Sequence, residues 1–373
     1  MSARWNQNRL TTKLGIQYPF LQGPLGGLAT QRLTAAVSNF GGLGSFGAHG
    51  LAPDAIRKVI AQIRALTSKP FAINLWVSME DQGARASGEE AFKRSLAPLA
   101  PFFEELGVAL PSYKPYTPLR FEDQARVLLD EKVPAFSFIA GIPPKEILDE
   151  CRKQDIVTMG TATTPDEGSA LQDAGVDVIV ASGFEAGGHR GSFLRAAEDS
   201  LTGTLSLVPQ VVDRVDVPVV AAGGIGDARG VVAALALGAE GVQMGTAFLS
   251  SEESGSHPLH RETFLQKKAS HTAMSKGYTG RLARGVENRA MRALNDPELE
   301  VLPYPLQRAL VRNLTAAAEA VGKPELMQMW AGQSASLSAS AAPAAFLEEL
   351  VQQVSEIAAA VMSWSAERSG NAS

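Results

Sequence analysis

The chain has 373 residues, which exceeds one ordinary domain, and a net charge of −5. Its composition, 45% hydrophobic and 20% charged residues, is typical of a globular protein. The absence of a basic tract argues against a nucleic-acid partner, whose backbone requires concentrated lysine and arginine. The polar N-terminus has no apolar core of signal-peptide type, and no uncharged run reaches the roughly 20 apolar residues of a membrane helix, so we expect a cytoplasmic protein without membrane contact.

Short apolar runs alternate with helical patterns along most of the chain. The runs predict buried strands at Phe20–Gln22, Gly42–Ser45, Phe71–Leu75, Ala135–Phe138, Ile156–Met159, Val178–Ala181, Val219–Ala222 and Gly241–Gln243. The patterns between them predict helices at Thr30–Phe40, Pro53–Leu66, Leu119–Glu131, Pro144–Arg152, Pro165–Ala174, Leu205–Arg214 and Asp227–Leu237. This alternation indicates an α/β fold with a parallel sheet, and the number of units favours a TIM-like (β/α)8 barrel over an open doubly wound sheet.

Two regions depart from the alternation. Glu80–Pro118 separates the third strand from its helix, and a loop of this length is usually functional. Ser251–Ser340 shows helices but no strong strands. We therefore divide the chain into a barrel (residues 1–250), a helical cap subdomain inserted after the eighth strand (251–340), and a C-terminal part (341–373). The last part comprises an amphipathic helix, Pro343–Trp364, that packs on the barrel, and a disordered tail, Ser365–Ser373.

The last two predicted strands end in glycines, in the segments PVVAAGGIGD and GVQMGTAF. At this position barrels often bind phosphate through backbone N–H groups, which glycines such as Gly224 and Gly245 leave uncovered. Thr246 adds a hydroxyl donor. Either segment alone is equally compatible with a tight turn, but the pair favours the phosphate of a sugar, a nucleotide or FMN. We expect Asp227 to cap the following helix.

The segment ASGFEAGGHRGSF follows the sixth strand and ends at Phe193. Its double glycine allows a sharp turn from which His189 projects into the site, and an ordinary pKa near 6.5 suits a general base. The alternative is a surface histidine with a structural hydrogen bond. We expect a structural role for Glu185, while Arg190 either contacts an anion or faces water.

The remaining histidines and the cysteine give weaker signals. His257 and His260 have the spacing of a metal pair but lack a third ligand, so we expect no metal. His49 follows the second strand and can rim the site. Cys151 lies in a helical stretch, which predicts a structural role.

The sequence resembles the class I nitronate monooxygenase (2-nitropropane dioxygenase) family. The resemblance rests on QGPLGGLAT, FAINLWV, EAGGHRGSF and the two glycine segments, and it spans Gln22–Phe248. It implies noncovalent FMN and the oxidation of alkyl nitronates, propionate 3-nitronate among the candidates, by O₂ to a carbonyl compound and nitrite. Carried over by position, His189 is the active-site base, and the FMN contacts are Gly23, Pro24, Asn74, Ser182, Gly187, Gly224, Gln243, Met244, Gly245 and Thr246. Candidates for the substrate side are Tyr113, Tyr116, Tyr278, Tyr304 and Lys276.

Three other functions remain open. An FMN-dependent enoyl-acyl-carrier-protein reductase or NAD(P)H:quinone reductase shares the fold and the glycine–histidine loop. A barrel isomerase or dehydrogenase without flavin would use the same phosphate site, and a nonenzymatic flavin-binding module is the third possibility. The RGSF continuation and the Glu80–Pro118 insertion favour the monooxygenase. We expect a monomer or a homodimer.

Overall fold

The computed structural model describes residues 5–78, 80–117, 119–266, 269, 271–338 and 341–370, with side chains described as far as residue 361. The strands are β1 (Phe20–Gln22), β2 (Gly44–Gly47), β3 (Phe71–Trp76), β4 (Ala135–Ile139), β5 (Val157–Ala162), β6 (Val178–Ser182), β7 (Gly188–His189), β8 (Val219–Ala222), β9 (Gly241–Met244), β10 (Thr272–Ser275) and β11 (Ala283–Val286).

Helices follow most of the strands. They are α1 (Arg9–Leu14), α2 (Gln31–Phe40), α3 (Pro53–Leu66), α4 (Glu89–Leu96), α5 (Ala100–Glu105), α6 (Phe121–Asp130), α7 (Lys145–Lys153), α8 (Pro165–Asp173), α9 (Thr204–Val212), α10 (Ala228–Ala236), α11 (Thr246–Leu249), α12 (Pro258–Leu265), α13 (Arg289–Leu294), α14 (Leu306–Ala320) and α15 (Pro343–Gly370). Within the described residues, no helix is both long enough and apolar enough to span a lipid bilayer.

Eight strands form one parallel sheet in the order β1-β9-β8-β6-β5-β4-β3-β2. A parallel bridge joins Leu21 of β1 to Leu43, the residue just before β2, so the sheet closes into a barrel. The TIM-like (β/α)8 prediction is therefore confirmed. Every predicted barrel strand is present, with ends shifted by up to three residues at β5, which runs to Ala162 rather than Met159.

Two apolar layers hold the barrel together. Inside it, small and branched side chains from successive strands pack with Leu10 and Leu14 of α1. Leu10 lies beside Gly241, the first residue of β9, so α1 covers the amino-terminal end of the strands. The other layer lies between strands and helices and includes Ile60, Phe138 and Val231. Because α1 occupies one end, the carboxyl ends of the strands are left for a binding site.

The cap differs from the prediction in containing strands. β10 and β11 form an antiparallel pair, and β11 also pairs with β7, with His189 opposite Ala283. Two short strands thus accompany the helices α12, α13 and α14 of this region. The sequences of these strands, TAMS and ARGV, are short and mixed in polarity, so they carry no alternating pattern.

The Glu80–Pro118 insertion is not a bare loop. It contains α4 and α5, whose Phe92, Leu96 and Phe103 enter the same apolar cluster as Leu310 and Leu314 of α14. Pro118 itself lies outside the described residues. The insertion is therefore part of the structure above the strand ends.

The C-terminal helix packs on the barrel as its pattern predicted. Leu347, Leu350 and Val354 of α15 are buried in the strand–helix layer, next to α2 and α10. Helix α15 extends to Gly370, beyond the predicted helix end at Trp364, and the disorder expected from Ser365 onward stays a prediction. Residues 371–373 lie outside the described part of the chain.

Candidate active site

A cavity of about 490 Å³ lies between the carboxyl ends of the barrel strands and the cap. Its volume is within the range of roughly 300–1,000 Å³ that is usual for small-molecule sites. The predicted residues that line it are Gly23, Pro24, Asn74, Ser182, Gly187, His189, Gly224, Gln243, Gly245 and Thr246. Met244 does not line the cavity, because it is 1% exposed and lies in the strand–helix layer.

One corner of the cavity is made of backbone at the ends of β8 and β9. Gly223 and Gly224 have φ of +101° and +72°, a region that strongly favours glycine. The N–H groups of Gly224, Gly245 and Thr246 make no hydrogen bond to another described residue. The Thr246 hydroxyl accepts from Gly332 N at 2.9 Å and keeps its own proton for donation. This corner therefore presents several hydrogen-bond donors to a ligand.

Two carboxylates hold the segment from the end of β6 to Phe193, a half-buried one on Glu185 and a fully buried one on Glu167. Glu185 accepts from Thr204 N at 2.9 Å and from Thr204 Oγ1 at 2.9 Å, which confirms its structural role. Glu167, which the sequence analysis did not select, accepts from Phe193 N at 2.6 Å and from Thr163 Oγ1 at 2.7 Å. The segment is thereby attached to α9 before β7 and to α8 after it.

Arg190 was expected either to contact an anion or to face water, and it does neither. Its buried guanidinium donates to the carbonyl oxygens of Gly183 at 2.7 Å and Ser200 at 3.0 Å. It contacts neither the cavity nor bulk water. Asp227, by contrast, caps α10 as predicted, because its side chain accepts from Arg229 N and Gly230 N.

His189 lies in β7 among aromatic rings of both the barrel and the cap. Its ring meets the edges of Trp76 and Trp330, with centroid separations of 4.8 and 5.2 Å. Burial, together with the nearby His49, Arg308 and Arg281, lowers the pKa of His189 well below 6.5. The expected ordinary pKa is therefore wrong, and the imidazole is neutral at neutral pH.

A hydroxyl determines which nitrogen of His189 carries the proton. Nε2 lies 2.9 Å from Thr279 Oγ1. That hydroxyl also lies 3.2 Å from the carbonyl oxygen of Arg281, which can only accept, so it donates there and accepts from Nε2–H. Nδ1 has no partner among the described residues and is not sealed from the cavity, so its lone pair is available to a ligand.

The cap contributes positive charge to the cavity. Arg308 of α14 lines it, and its guanidinium meets the Tyr304 hydroxyl at 3.4 Å but no carboxylate among the described residues. Arg281, in contrast, pairs with Asp81 at 2.8 Å and lies over the Tyr304 ring. An unpaired guanidinium beside a neutral imidazole favours an anionic ligand.

The other predicted side chains have structural partners. Asn74 is buried, and its Nδ2 donates to Ser137 Oγ at 3.0 Å. Tyr278 lines the cavity, but its hydroxyl is bonded to Asn288 Oδ1 at 3.1 Å. The side chain of Tyr304 packs on Trp76.

Further residues from the sequence analysis lie away from the cavity. His257 caps α12, and His260 Nε2 lies 3.0 Å from the carbonyl oxygen of Trp330. Lys276 pairs with Glu198. Cys151 is buried, which raises the pKa of its thiol to about 12 and is consistent with the predicted structural role.

Several cavity residues were not selected from the sequence. They are Trp76, Thr279, Arg308, Trp330 and Gly332. Trp76 directly ends the apolar run of β3, so the rule that strand ends face the site could have identified it. The cap residues carry no comparable signal.

The model of the family described as nitronate monooxygenase matches residues 7–355. The chain belongs to this family. A probable nitronate monooxygenase of Staphylococcus aureus (strain JH9) is 40% identical over 354 residues, which cover 95% of this chain and 99% of the relative. The predicted resemblance is thus confirmed, and membership of the nitronate monooxygenase family makes the protein an oxidoreductase.

Solved structures agree with this assignment. A nitroalkane oxidase from Streptomyces ansochromogenes has a TM-score of 0.86 and 33% identity, covering 95% of this chain and all of the other. FabK from Thermotoga maritima has a TM-score of 0.75 and 29% identity, covering 96% and 99% of the two chains. These neighbours and the nitronate monooxygenase family suggest a flavin cofactor.

Proposed function

We propose that the protein binds FMN and oxidises alkyl nitronates with O₂ to a carbonyl compound and nitrite. The observation that carries the proposal is the union, in one cavity, of a donor-rich glycine corner, a neutral imidazole and an unpaired guanidinium. In this proposal residues 1–250 bind FMN, residues 251–340 form the substrate cap, and the C-terminal helix supports the barrel.

The glycine corner fits the phosphate of FMN. A phosphate dianion needs several convergent donors, and the free N–H groups of Gly224, Gly245 and Thr246 supply them without a charged side chain. The Gly23–Pro24 segment lies beside this corner, since a Cβ on Gly23 would be 3.2 Å from Gly245 Cα. This side-chain-poor surface suits a flat ring, with the Asn74 amide at its edge. When bound, FMN supplies the electron acceptor and the reaction with O₂.

The residues on the other side of the cavity fit an anionic substrate. Arg308 offers an unpaired positive charge, whereas an acyl thioester has no negative charge at its reacting end to use it. A nitronate has already lost its α-proton, so it needs orientation more than a base. For a neutral nitroalkane, Nδ1 of His189 is the atom that can accept the α-proton, while Thr279 holds the opposite nitrogen protonated.

Anaerobic reduction separates this function from the enoyl-acyl-carrier-protein or quinone reductase that the sequence left open. Mixing the FMN-loaded protein with ethylnitronate without O₂ should bleach the flavin absorbance, and admission of O₂ should yield nitrite. The same protein should react slowly with NADH. Rapid bleaching by NADH and none by ethylnitronate would instead support an enoyl or quinone reductase.

Two controls test the parts of the proposal separately. Mass spectrometry of the chromophore released by heat should identify FMN, and a protein that binds no flavin would contradict the cofactor assignment. His189→Asn should keep FMN bound and slow the oxidation of nitroethane more than that of ethylnitronate. Unchanged kinetics for both substrates would remove the role assigned to His189.

A further inference from the structure

A second histidine, His49, lines the cavity, and no function has been assigned to it so far. It lies just after β2 and is 7% exposed. Its ring stacks on Trp76 with centroids 4.2 Å apart and planes 10° apart. Gly26 also contacts the ring, since a Cβ on Gly26 would lie 2.6 Å from His49 Cε1. Packing against Trp76 and Gly26 therefore restricts the orientation of the ring.

The two nitrogens of His49 have different surroundings. Nδ1 is buried and has no hydrogen-bond partner. Nε2 also has no partner among the described residues, but it is not sealed, so it faces the cavity that the ring lines. A neutral imidazole has one N–H, and a buried N–H without an acceptor is costly. The proton therefore belongs on Nε2, where a ligand can accept it.

The environment keeps this ring uncharged. Burial, followed by the positive charges of Arg308 and Arg281, lowers the pKa of His49 to about 3. His189, which lies close enough to interact electrostatically with His49, is neutral as well. At neutral pH His49 is consequently a hydrogen-bond donor of fixed orientation, and Arg308 provides the positive charge beside it.

Both imidazoles line the same cavity. Both contact Trp76, at centroid distances of 4.2 and 4.8 Å, so their own centroids are no more than about 9 Å apart. A ligand whose reacting carbon lies near His189 Nδ1 can therefore place an oxygen near His49 Nε2. An anion gains more from such a donor than a neutral ligand does, because hydrogen bonds to charged groups are stronger.

We propose that His49 is a substrate-binding residue that donates its Nε2–H to an oxygen of the nitronate group. This inference rests on the proposed function and adds to it a specific recognition of the planar nitrogen–oxygen anion. Together, His49 and Arg308 select the anionic form of the substrate, whereas His189 faces its α-carbon.

Three substitutions of His49 test the proposal, because they differ in whether and where they place a hydrogen-bond donor. Glutamine places its amide nitrogen near the position of Nε2, asparagine places it near Nδ1, and phenylalanine keeps a ring but has no donor. We expect His49→Phe and His49→Asn to lower kcat/KM for ethylnitronate by roughly 10- to 100-fold, the range for losing a hydrogen bond to a charged group. His49→Gln should recover most of the loss. If His49→Phe does not fold, the asparagine and glutamine pair still gives the comparison.

Binding supplies a readout that does not depend on turnover. Nitrate, a planar oxyanion, should perturb the flavin absorbance, and its Kd should rise in His49→Phe and His49→Asn but not in His49→Gln, with the Kd for FMN unchanged in all three. Equal nitrate affinity in the four proteins would overturn the proposal. So would a parallel loss of FMN affinity, which would place His49 at the cofactor. If the wild type does not oxidise ethylnitronate, the proposed function fails, and the nitrate series still decides whether His49 binds an oxyanion.

Discussion

Replacing Gly187 with alanine should separate the loop before β7 from the cap. A Cβ at this position would lie 2.5 Å from Gly332 N and 2.6 Å from Ala331 C. Ordinary contacts begin at 3.4 Å, so the Ala331–Gly332 segment must retreat by about 0.9 Å. Both neighbouring atoms belong to the backbone, so no side-chain rotation relieves the contact, and overpacking of this kind costs about 1–3 kcal/mol.

The displaced segment carries parts of the active site. Trp330, which precedes Ala331, contacts His189, and Gly332 N donates to the Thr246 hydroxyl at the glycine corner. A displacement near 1 Å can reduce an enzymatic rate by roughly 100-fold. We therefore expect Gly187→Ala to lower kcat/KM for ethylnitronate by about 100-fold and to weaken FMN binding, as measured by nitrite formation and by the quenching of FMN fluorescence.

The neighbouring glycine provides a matched control. Gly188 has a φ of +75°, and a Cβ there would meet nothing within 4 Å. Gly188→Ala should therefore cost about 1–2 kcal/mol of stability in urea unfolding from backbone strain, without displacing the Ala331–Gly332 segment. A Gly187→Ala protein with wild-type FMN affinity and kcat/KM would refute the reasoning. So would a Gly188→Ala protein that loses more FMN affinity and kcat/KM than Gly187→Ala does.

Three further predictions concern titratable groups. Thr279→Val should slow nitroethane oxidation more than ethylnitronate oxidation, because His189 loses the partner that fixes its tautomer, and Thr279→Ser should restore it; equal losses for both substrates would contradict this. Burial lowers the pKa of His49 to about 3 and that of His260 to about 4. Each of these histidines should therefore lower the free energy of unfolding by about 1.4 kcal/mol per pH unit as the pH falls from 6.5 toward 4. The urea midpoint should therefore fall over that range, and a constant midpoint would count against it. Cys151, with its raised thiol pKa, should react with a thiol reagent at pH 8 only after unfolding, and fast labelling of the folded protein would be inconsistent with its burial.

Acidification should destabilise the folded chain through His49 and His260. Below pH 6.5 the unfolded chain binds protons at these histidines, whereas the folded chain does not until the pH approaches the lowered values. Stability from the neutral rings is thus complete above pH 6.5 and is lost on acidification. His260→Gln should reduce the slope, since it removes one of the groups.

The barrel could be predicted from the sequence because its signals are local. Phe20–Gln22 and Val219–Ala222 were located to the residue, since strands covered on both faces must be continuous apolar runs. The cavity residues at the strand ends, such as Gly224 and Thr246, could be predicted for the same reason. Parallel strands bring their carboxyl ends to one side, so a motif that follows a strand faces the common site.

Features that depend on contacts between distant segments required the tertiary structure. The pairing of β11 with β7 brings Thr279 to His189 across 90 positions, and neither short strand has a periodic pattern. The side chain of Met244 is turned into the core, although its motif places it beside Gly245.

The sequence by itself determined the barrel, the glycine corner and the presence of a histidine at the strand ends, because hydrophobic periodicity and backbone freedom are properties of neighbouring residues. Only the tertiary structure decided the chemical state of that histidine. A pKa depends on burial and on surrounding charges, and Trp76, Trp330, Arg308 and His49 reach His189 from separate parts of the chain.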